Sequence, residues 1–412
     1  MASSSNGKEP EWLRPPADVD AGPSSTLNEG ASIASRASDD SASSKPRKWD
    51  DPPEKEPDFP PAHVTTMILV KKNKFATQPN FEVEQVGFTT SDAHIVCRIP
   101  TLANNSTRSS GDLTSNIIMY DVNTVRRKIV RPVPSKGVRT QGDFALSPGP
   151  GLALMATAFR RTEHAIADDQ TGDGGVRGVP RVEVFDLFTD KRRLKADFSV
   201  QAPLAYTPDG SYLASVSIRN STRIVILDLR NVLKPAMART IAVHSSPLTH
   251  MAVTPDGTAL ISASTDGSIR MTSLQSGRTL RKAEVESRGP ANMMQLSMNG
   301  DLVVSVWGRQ VCLWRLKPDT MSVYNLDTVR QTEGWPLAIS PDCQHLACRT
   351  EDGVDVIDVE TGLFRADYPL DPGHELITSA AFSHNNRWLA LGDYDGRVTV
   401  LEVITASING SC

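Results

Sequence analysis

Short runs of apolar residues alternate with compact polar turns along the chain from residue 81 onward. Within a run, apolar side chains tend to fall at every second position, as in His250–Val253 and Ser379–Phe382. Alternation with a period of two, in runs rich in Val, Ile and Leu, is typical of half-buried β-strands. The pattern therefore predicts an all-β chain built from many short strands.

One turn of the form Ser/Thr-Pro-Asp-Gly, or a variant of it, recurs between these strands. Proline presets φ, aspartate bonds to its own backbone and glycine accepts a positive φ, so this sequence favours a tight turn. Its second residue stands at positions 208, 255, 298, 341 and 384, in steps of 47, 43, 43 and 43. Steps of about 40 to 50 residues match one four-stranded blade of a β-propeller. The seven turns begin at Thr90, Ser147, Thr207, Thr254, Ser297, Ser340 and Ser383. They predict a seven-bladed β-propeller over residues 62–405.

The third strand of most repeats ends with an apolar, an acidic and an apolar residue. The acid is Asp121, Asp186, Asp228, Asp358 or Glu402. Ser273 and Arg315 replace it in the fourth and fifth repeats, and Trp314 precedes Arg315 where a Trp-Asp signature would stand. This pattern resembles degenerate members of the WD40-repeat family, over roughly residues 63 to 404. The resemblance implies a propeller that acts as a binding platform for other proteins.

The last repeat ends soon after Val403, which leaves no room for a fourth strand. An apolar, β-branched stretch, His63–Val70, precedes the first repeat and has no blade of its own. We expect it to supply the outer strand of blade seven, so that the two ends of the propeller meet and the ring is closed. The alternative is an edge strand of blade one. Residues 406–412 would then form a short C-terminal tail.

Residues 1–61 are rich in Ser, Pro and acidic residues and are predicted to form a disordered tail. They hold 7 Lys and Arg against 12 Asp and Glu, a net charge of −5, which leaves 37 against 36 for the rest of the chain. A propeller of net charge +1 has no electrostatic footprint for direct nucleic-acid binding. Apolar runs are shorter than the roughly 20 residues of a membrane span. The N-terminus lacks a secretory pattern and the five cysteines lack metal-site spacing, so we expect an intracellular protein, cytoplasmic or nuclear.

Blades one and two carry the two largest departures from the repeat. The inserts are Pro100–Ser115 and Arg160–Pro180, both between the second and third strands. Connections of that type emerge on one face of a propeller, and loops on a rigid scaffold commonly carry function. The sequence therefore predicts that this face binds partners. The alternative is that the inserts are surface insertions with no selected role.

The second strands end on the same face, and several of their last residues are arginine or aromatic. Arginine forms bidentate bonds with carboxylates and phosphates, and aromatic side chains anchor interfaces. The predicted partner-binding residues are Arg98, Phe159, Arg160, Arg219, Trp307, Arg349 and Tyr394. The partner would be a protein or peptide, acidic or phosphorylated, bound by a monomer within a larger complex. The alternative is that these arginines pair with nearby acids such as Asp352, Asp393 and Asp395.

Motifs for catalysis are absent from the sequence, so we predict a non-catalytic scaffold or adaptor without cofactor or metal. The eight histidines are scattered, and no nucleophile motif or phosphate-binding glycine loop occurs. One alternative is a propeller enzyme, lactonase-like or quinoprotein-like, with its active site in the channel. Another is a substrate receptor of a cullin-type ubiquitin ligase, because Leu227–Arg230 resembles the docking motif Trp-Asp-x-Arg. Phe159–Thr162 resembles a phosphoinositide-binding Phe-Arg-Arg-Gly motif, but Thr162 replaces the glycine.

Overall fold

Each repeat folds into a four-stranded antiparallel sheet, and seven such sheets form a ring in the computed structural model. The structure describes residues 65–76, 82–102, 113–124, 126–130, 138–148, 154–161, 180–189, 191–196, 200–230, 236–287, 289–326, 334–370 and 376–407. The predicted N-terminal tail, residues 1–61, lies outside these ranges. The prediction of an all-β, seven-bladed propeller is confirmed. Among the described residues, no helix has the length and hydropathy of a membrane span.

Strand β1 (Thr65–Ala76) precedes the first complete blade. Blade one comprises β2 (Gln85–Phe88), β3 (His94–Leu102), β4 (Leu113–Asp121) and β5 (Arg127–Val130). Blade two comprises β6 (Val138–Leu146), β7 (Leu154–Arg161), β8 (Pro180–Asp186) and β9 (Lys191–Ala196). Blade three comprises β10 (Val200–Tyr206), β11 (Tyr212–Ser217), β12 (Arg223–Asp228) and β13 (Ala236–Ala242).

Blade four comprises β14 (Leu248–Val253), β15 (Ala259–Ser264), β16 (Ser268–Ser273) and β17 (Thr279–Glu284). Blade five comprises β18 (Met293–Leu296), β19 (Leu302–Trp307), β20 (Gln310–Leu316) and β21 (Asp319–Asn325). Blade six comprises β22 (Trp335–Ile339), β23 (His345–Arg349), β24 (Gly353–Asp358) and β25 (Phe364–Pro369). Blade seven comprises β26 (Ile377–Phe382), β27 (Trp388–Asp393), β28 (Arg397–Ser407) and, as its outer strand, β1.

The ring is closed by β1, which pairs antiparallel with β28 from Thr65 opposite Ser407 to Ala76 opposite Arg397. The predicted closure by an N-terminal strand is therefore confirmed. The strand is longer than predicted: it runs on through the lysine-rich stretch to Ala76, past a register shift between Lys71 and Asn73. Just beyond that shift, the Asn73 side chain donates a hydrogen bond to the carbonyl of Val122 in blade one (2.6 Å). This hydrogen bond links blade seven to blade one.

Apolar side chains packed between neighbouring blades form the core. Val398 and Val400 of blade seven lie with Ile118 of blade one, and Val184 of blade two lies with Leu213 of blade three. All five are almost completely inaccessible to solvent. Each fully buried side chain of this size contributes on the order of 1.5 to 3 kcal/mol. Packing at the interfaces between neighbouring blades, which we call seams, therefore stabilises the ring.

The recurring turn between first and second strands also links the blades. Gly300 has a φ of +73°, and a Cβ there would lie 3.0 Å from Cδ of Pro255 in the preceding blade's turn. At the closing seam, Asp92 of blade one accepts hydrogen bonds from the backbone amides of His384 and Asn385 in blade seven (2.8 and 2.9 Å). The repeated tetrapeptide therefore shapes the turn and spaces adjacent blades.

The opposite face is formed where second strands connect to third strands and where one blade leads into the next. We call it the upper face, and the face with the recurring turns the lower face. Strand ladders extend into both predicted inserts, since Pro100 pairs with Ser115 and Arg160 with Pro180. These insert ends are strand, not loop, because the hairpins of blades one and two are longer than those of the other blades. Residues 103–112 and 162–179 lie outside the described residues.

Candidate functional site

Three large apolar side chains are exposed together on the upper face of blades six and seven. Trp335, at the start of β22, is 52% exposed, Leu376, just before β26, is 48% exposed, and Tyr394, just after β27, is 55% exposed. We call these three residues the blade 6–7 patch. Exposed aromatic side chains on a rigid frame are typical anchors of protein interfaces.

Backbone pairing and one arginine make the patch continuous across the seam. Trp335 lies opposite Arg349 in the β22–β23 ladder, and Nη1 of Arg349 donates to the carbonyl oxygen of Ile377 in blade seven (3.0 Å). The amide of Tyr394 donates to the carbonyl oxygen of Leu376 (3.0 Å). Each member is therefore fixed to strands that pack against each other, and the patch is preorganised.

Polar groups surround the patch and position its edges. Nη1 of Arg309 donates to the carbonyl oxygen of Gly334, the residue before Trp335 (2.9 Å). Arg397 pairs with Asp395 in the turn beside Tyr394 (3.2 Å). Surfaces with an apolar centre and a polar rim are typical of interfaces with other proteins.

A buried carboxyl lies beneath Tyr394. Asp393 ends β27 with almost no exposure, and its Oδ1 accepts a hydrogen bond from the backbone amide of Arg397 (2.7 Å). Burial raises the pKa of Asp393 above the ordinary aspartate value, since the charged form loses its hydration.

The structure places the predicted partner-binding residues in different surroundings. Arg349 and Tyr394 lie at the blade 6–7 patch, as described above. Arg219 is exposed in the second turn of blade three, on another part of the upper face. Phe159 and Arg160 lie in β7, and their side chains are outside the described part of the structure.

Trp307 and Arg98 do not present their side chains to a partner. Trp307 is 1% exposed, packs in the cluster between blades four and five, and donates its indole N–H to Oγ of Ser305 (2.9 Å). Arg98 is buried, and its Nε bonds to Oε2 of Glu84 (2.9 Å), so for this arginine the paired alternative holds. The expectation that both lie on the binding surface is therefore wrong. A strand-end position does not fix on which side of the sheet a side chain lies.

Trp335 and Leu376 were missed because only the ends of second strands were considered. First strands begin on the same face, since each is antiparallel to the second strand beside it. An exposed tryptophan at the first residue of β22 could have been found from that connectivity. The signal is that Trp335 stands between Gly334 and Pro336. Glycine and proline commonly mark the boundaries of strands, so a tryptophan between them is expected at a strand end.

Blade four retains a polar network beneath the upper face. Nε2 of His244 lies 2.9 Å from Oγ of Ser262, and its Nδ1 lies 3.3 Å from Oδ2 of Asp266. Burial lowers the pKa of His244, although Asp266 opposes the effect. Burial alone would raise the pKa of Asp266, but hydrogen bonding from Ser268 and the nearby His244 outweigh it and lower that pKa well below its ordinary value. The network links the loop before β14, which contains His244, to the turn between β15 and β16, which contains Asp266.

The motif that resembles the ligase-docking sequence lies on the lower face of blade three. Nη2 of Arg230 bonds to Oδ2 of Asp228 (2.7 Å), and its guanidinium lies 5.1 Å from the ring centre of Tyr212. This arginine is therefore bound to its own blade. In the described ranges, no group of three or more His, Cys, Asp or Glu side chains could hold a metal ion.

Comparison with known proteins agrees with this geometry. The seven four-stranded sheets make the chain a seven-bladed β-propeller. Residues 237–273 and 369–400 match the family described as "WD domain, G-beta repeat". These two matches, together with the seven-bladed fold, support a WD40-repeat family with no subfamily specified.

Solved structures with this fold are numerous, with 1571 matching chains. One is a chain of "Crystal Structure of Mitotic Checkpoint Complex", which superposes with a TM-score of 0.58 at 11% identity and covers 81% of this chain and 95% of that chain. At that identity the likeness shows the fold alone. No curated protein matches the sequence.

Proposed function

We propose that the protein is a non-catalytic scaffold or adaptor that binds other proteins through the upper face of its propeller. The observation that carries this proposal is the blade 6–7 patch, Trp335, Leu376 and Tyr394, which exposes large apolar side chains on packed strands. The paired ends of the two inserts, Pro100 with Ser115 and Arg160 with Pro180, lie on the same face.

The patch is large enough to contribute substantially to binding. A tryptophan or tyrosine buries about 150 to 250 Å² in a complete interface, so covering the exposed half of each removes roughly 100 Å² from water. At about 25 cal/mol per Å², the two rings together supply on the order of 5 kcal/mol before the costs of association. Rigid anchors lower those costs, because little side-chain or backbone freedom remains to be lost.

Two further considerations support a protein partner. WD40 propellers are generally non-catalytic scaffolds, and two segments of this chain match that family. The buried cysteines Cys97, Cys312, Cys343 and Cys348 are free thiols, which fits the proposed intracellular location. We propose that the protein works as a monomer within a larger assembly.

The test is affinity capture with a double substitution in the patch, Trp335→Ser with Tyr394→Ser. We expect stable protein partners of the natural chain to be lost from the variant. The matched control is Leu363→Ser with Phe364→Ser, which removes two exposed apolar side chains from the lower face of blade six. Partners retained by the patch variant, or lost equally from both, would contradict the proposal.

A further inference from the structure

The outer edge of blade seven is the longest strand edge on the rim of the ring in the described part of the chain. Strand β1 has 12 residues, whereas the outer strands of the other blades have 4 to 7 residues each. One edge of β1 pairs with β28, and among the described residues no strand pairs with its other edge. Successive residues of an antiparallel strand direct their backbone groups to alternate edges, so this edge presents a row of N–H donors and C=O acceptors.

The first half of this edge lacks the features that normally prevent strands from pairing. Natural edge strands are protected by short length, by charged side chains or by proline. The outer strands of the other blades each contain at least one charged residue. The segment 65–70 of β1 contains neither a charged residue nor a proline. It therefore favours the addition of another strand.

Three aliphatic side chains form an exposed strip on the two outermost strands of blade seven. Ile68 of β1 lies directly opposite Ile404 of β28, and Val70 lies two residues further along the same side of β1. Ile68 is 51% exposed, Ile404 41% and Val70 38%. Met67 and Leu69 lie on the opposite side, in the cluster that joins blades six and seven. We call Ile68, Val70 and Ile404 the outer strip. Side chains on one face of neighbouring strands contact each other, so an added strand would cover Ile68 and Val70.

Basic residues flank the outer strip. Lys71, Lys72 and Lys74 follow it along β1, and all three are exposed. We call these lysines the basic flank. Strands β1 and β28 together contain 4 basic residues and 1 acidic residue, Glu402. Glu402 pairs with both Lys72 (2.8 Å) and Arg387 (2.9 Å), so one carboxylate faces two cations. The charge beside the strip is therefore positive.

These features select a strand with an acidic part and an aliphatic part. Antiparallel pairing would place the first residues of an added strand beside the basic flank and its last residues beside the segment 65–70. A complementary strand therefore carries acidic residues first and β-branched aliphatic residues after them. Its backbone would satisfy the edge of β1, its carboxylates would pair with the basic flank, and its aliphatic side chains would extend the outer strip.

We propose that the outer edge of β1 binds an extended, acidic and aliphatic segment of a partner protein, which adds a strand to blade seven. This inference goes beyond the proposed function and does not depend on it. The blade 6–7 patch presents side chains on the upper face, whereas this site offers backbone groups on the rim of the ring.

The probe is a short peptide whose first half consists of glutamate and aspartate and whose second half alternates isoleucine with threonine. Fluorescence anisotropy measures its binding to the full-length chain. We expect saturable binding that is at least about 10-fold weaker when lysines replace the acidic residues, because charge-assisted contacts are lost. Prolines at alternate positions of the second half should abolish binding, since proline cannot donate to a strand ladder.

Substitutions on the strand itself decide where the peptide binds. Ile68→Lys places a charge in the uncharged half of the edge and should weaken binding by about 10-fold. The matched control is Val323→Lys, because Val323 is 49% exposed on β21, the outer strand of blade five. This control should leave the affinity unchanged. The peptide should also slow amide hydrogen exchange in the segment 65–70 and leave exchange in β21 unchanged.

Thermal melting separates loss of binding from loss of folding. Ile68 is half exposed, so we expect Ile68→Lys to melt close to the natural chain. If that variant melts lower, Ile68→Thr decides, because threonine keeps the β-branch and removes apolar surface. Weaker binding by Ile68→Thr supports the site, and unchanged binding overturns it.

Four results would overturn the inference. One is equal binding of the acidic peptide and its lysine or proline versions, and another is equal effects of Ile68→Lys and Val323→Lys. The third is self-association of the chain that Ile68→Lys abolishes, which would assign the edge to a second copy. The fourth is binding of anionic lipid vesicles that is lost in the same variant, which would assign the strip and its flank to a membrane surface.

The two proposals can fail separately. If the peptide does not bind while the variant Trp335→Ser with Tyr394→Ser still loses its partners, this inference falls and the proposed function stands. If the peptide binds and that variant keeps its partners, the proposed function falls and this inference stands.

Discussion

Closure of the ring by β1 can be tested with substitutions at two adjacent residues of that strand. Met67 is 5% exposed and packs in the cluster that joins blades six and seven, whereas Ile68 is 51% exposed on the opposite side of the sheet. Truncation of a buried methionine to alanine costs about 2 to 5 kcal/mol, and surface substitutions usually change stability by about 0.5 kcal/mol or less. We expect Met67→Ala to lower the free energy of unfolding by about 3 kcal/mol and Ile68→Ala to lower it by less than about 1 kcal/mol.

Urea unfolding followed by tryptophan fluorescence measures the difference. Trp307 and Trp314 lie in blade five and Trp335 lies in blade six, outside β1 and blade seven, so the signal reports on more of the ring than the substituted strand. If β1 closes the ring, Met67→Ala should move the entire transition to lower urea. Equal effects of the two substitutions, or a larger effect of Ile68→Ala, would refute the assignment of β1 as the closing strand.

Two further substitutions test the turns and the blade-four network. Gly300→Ala should lower stability more than Gly308→Ala, because both have positive φ but only Gly300 also approaches the preceding turn; the difference in urea midpoints measures that contact. Asp266→Asn should destabilise the protein at pH 7. The lowered pKa of Asp266 means that its contribution is present above the unfolded-state value near 4 and is lost as pH falls, so the gap from the natural chain should narrow at pH 3. A stability difference between Asp266→Asn and the natural chain that does not change with pH would contradict a lowered pKa for Asp266.

The overall fold could be predicted because its main signal is local. The recurring turn gave the blade count, since proline, aspartate and glycine act through their own backbone torsions. The closing strand was found by a counting argument: the last repeat lacked a fourth strand and His63–Val70 lacked a blade. Its extension to Ala76 was missed because Lys71, Lys72 and Lys74 interrupt the apolar pattern.

The candidate site was harder to predict because it depends on which side of a sheet each residue occupies. In β19 the five residues from Val303 to Trp307 are all buried, so alternation carries no information about which side the last side chain takes. The neighbouring blade decides, and Trp307 packs in the cluster with Ile261 of blade four. Connectivity predicts which residues share the upper face, but packing between blades decides which of them are exposed.

The polar links differ between a segment that matches the family and a blade that does not. The segment 237–273 contains the network of His244, Ser262 and Asp266, whereas blade one is tied to its neighbour by Asp92 in a different turn. Since apolar seams supply most of the stabilisation, each blade can hold its loops with a different set of hydrogen bonds. Sequence signatures can therefore diverge while the ring persists.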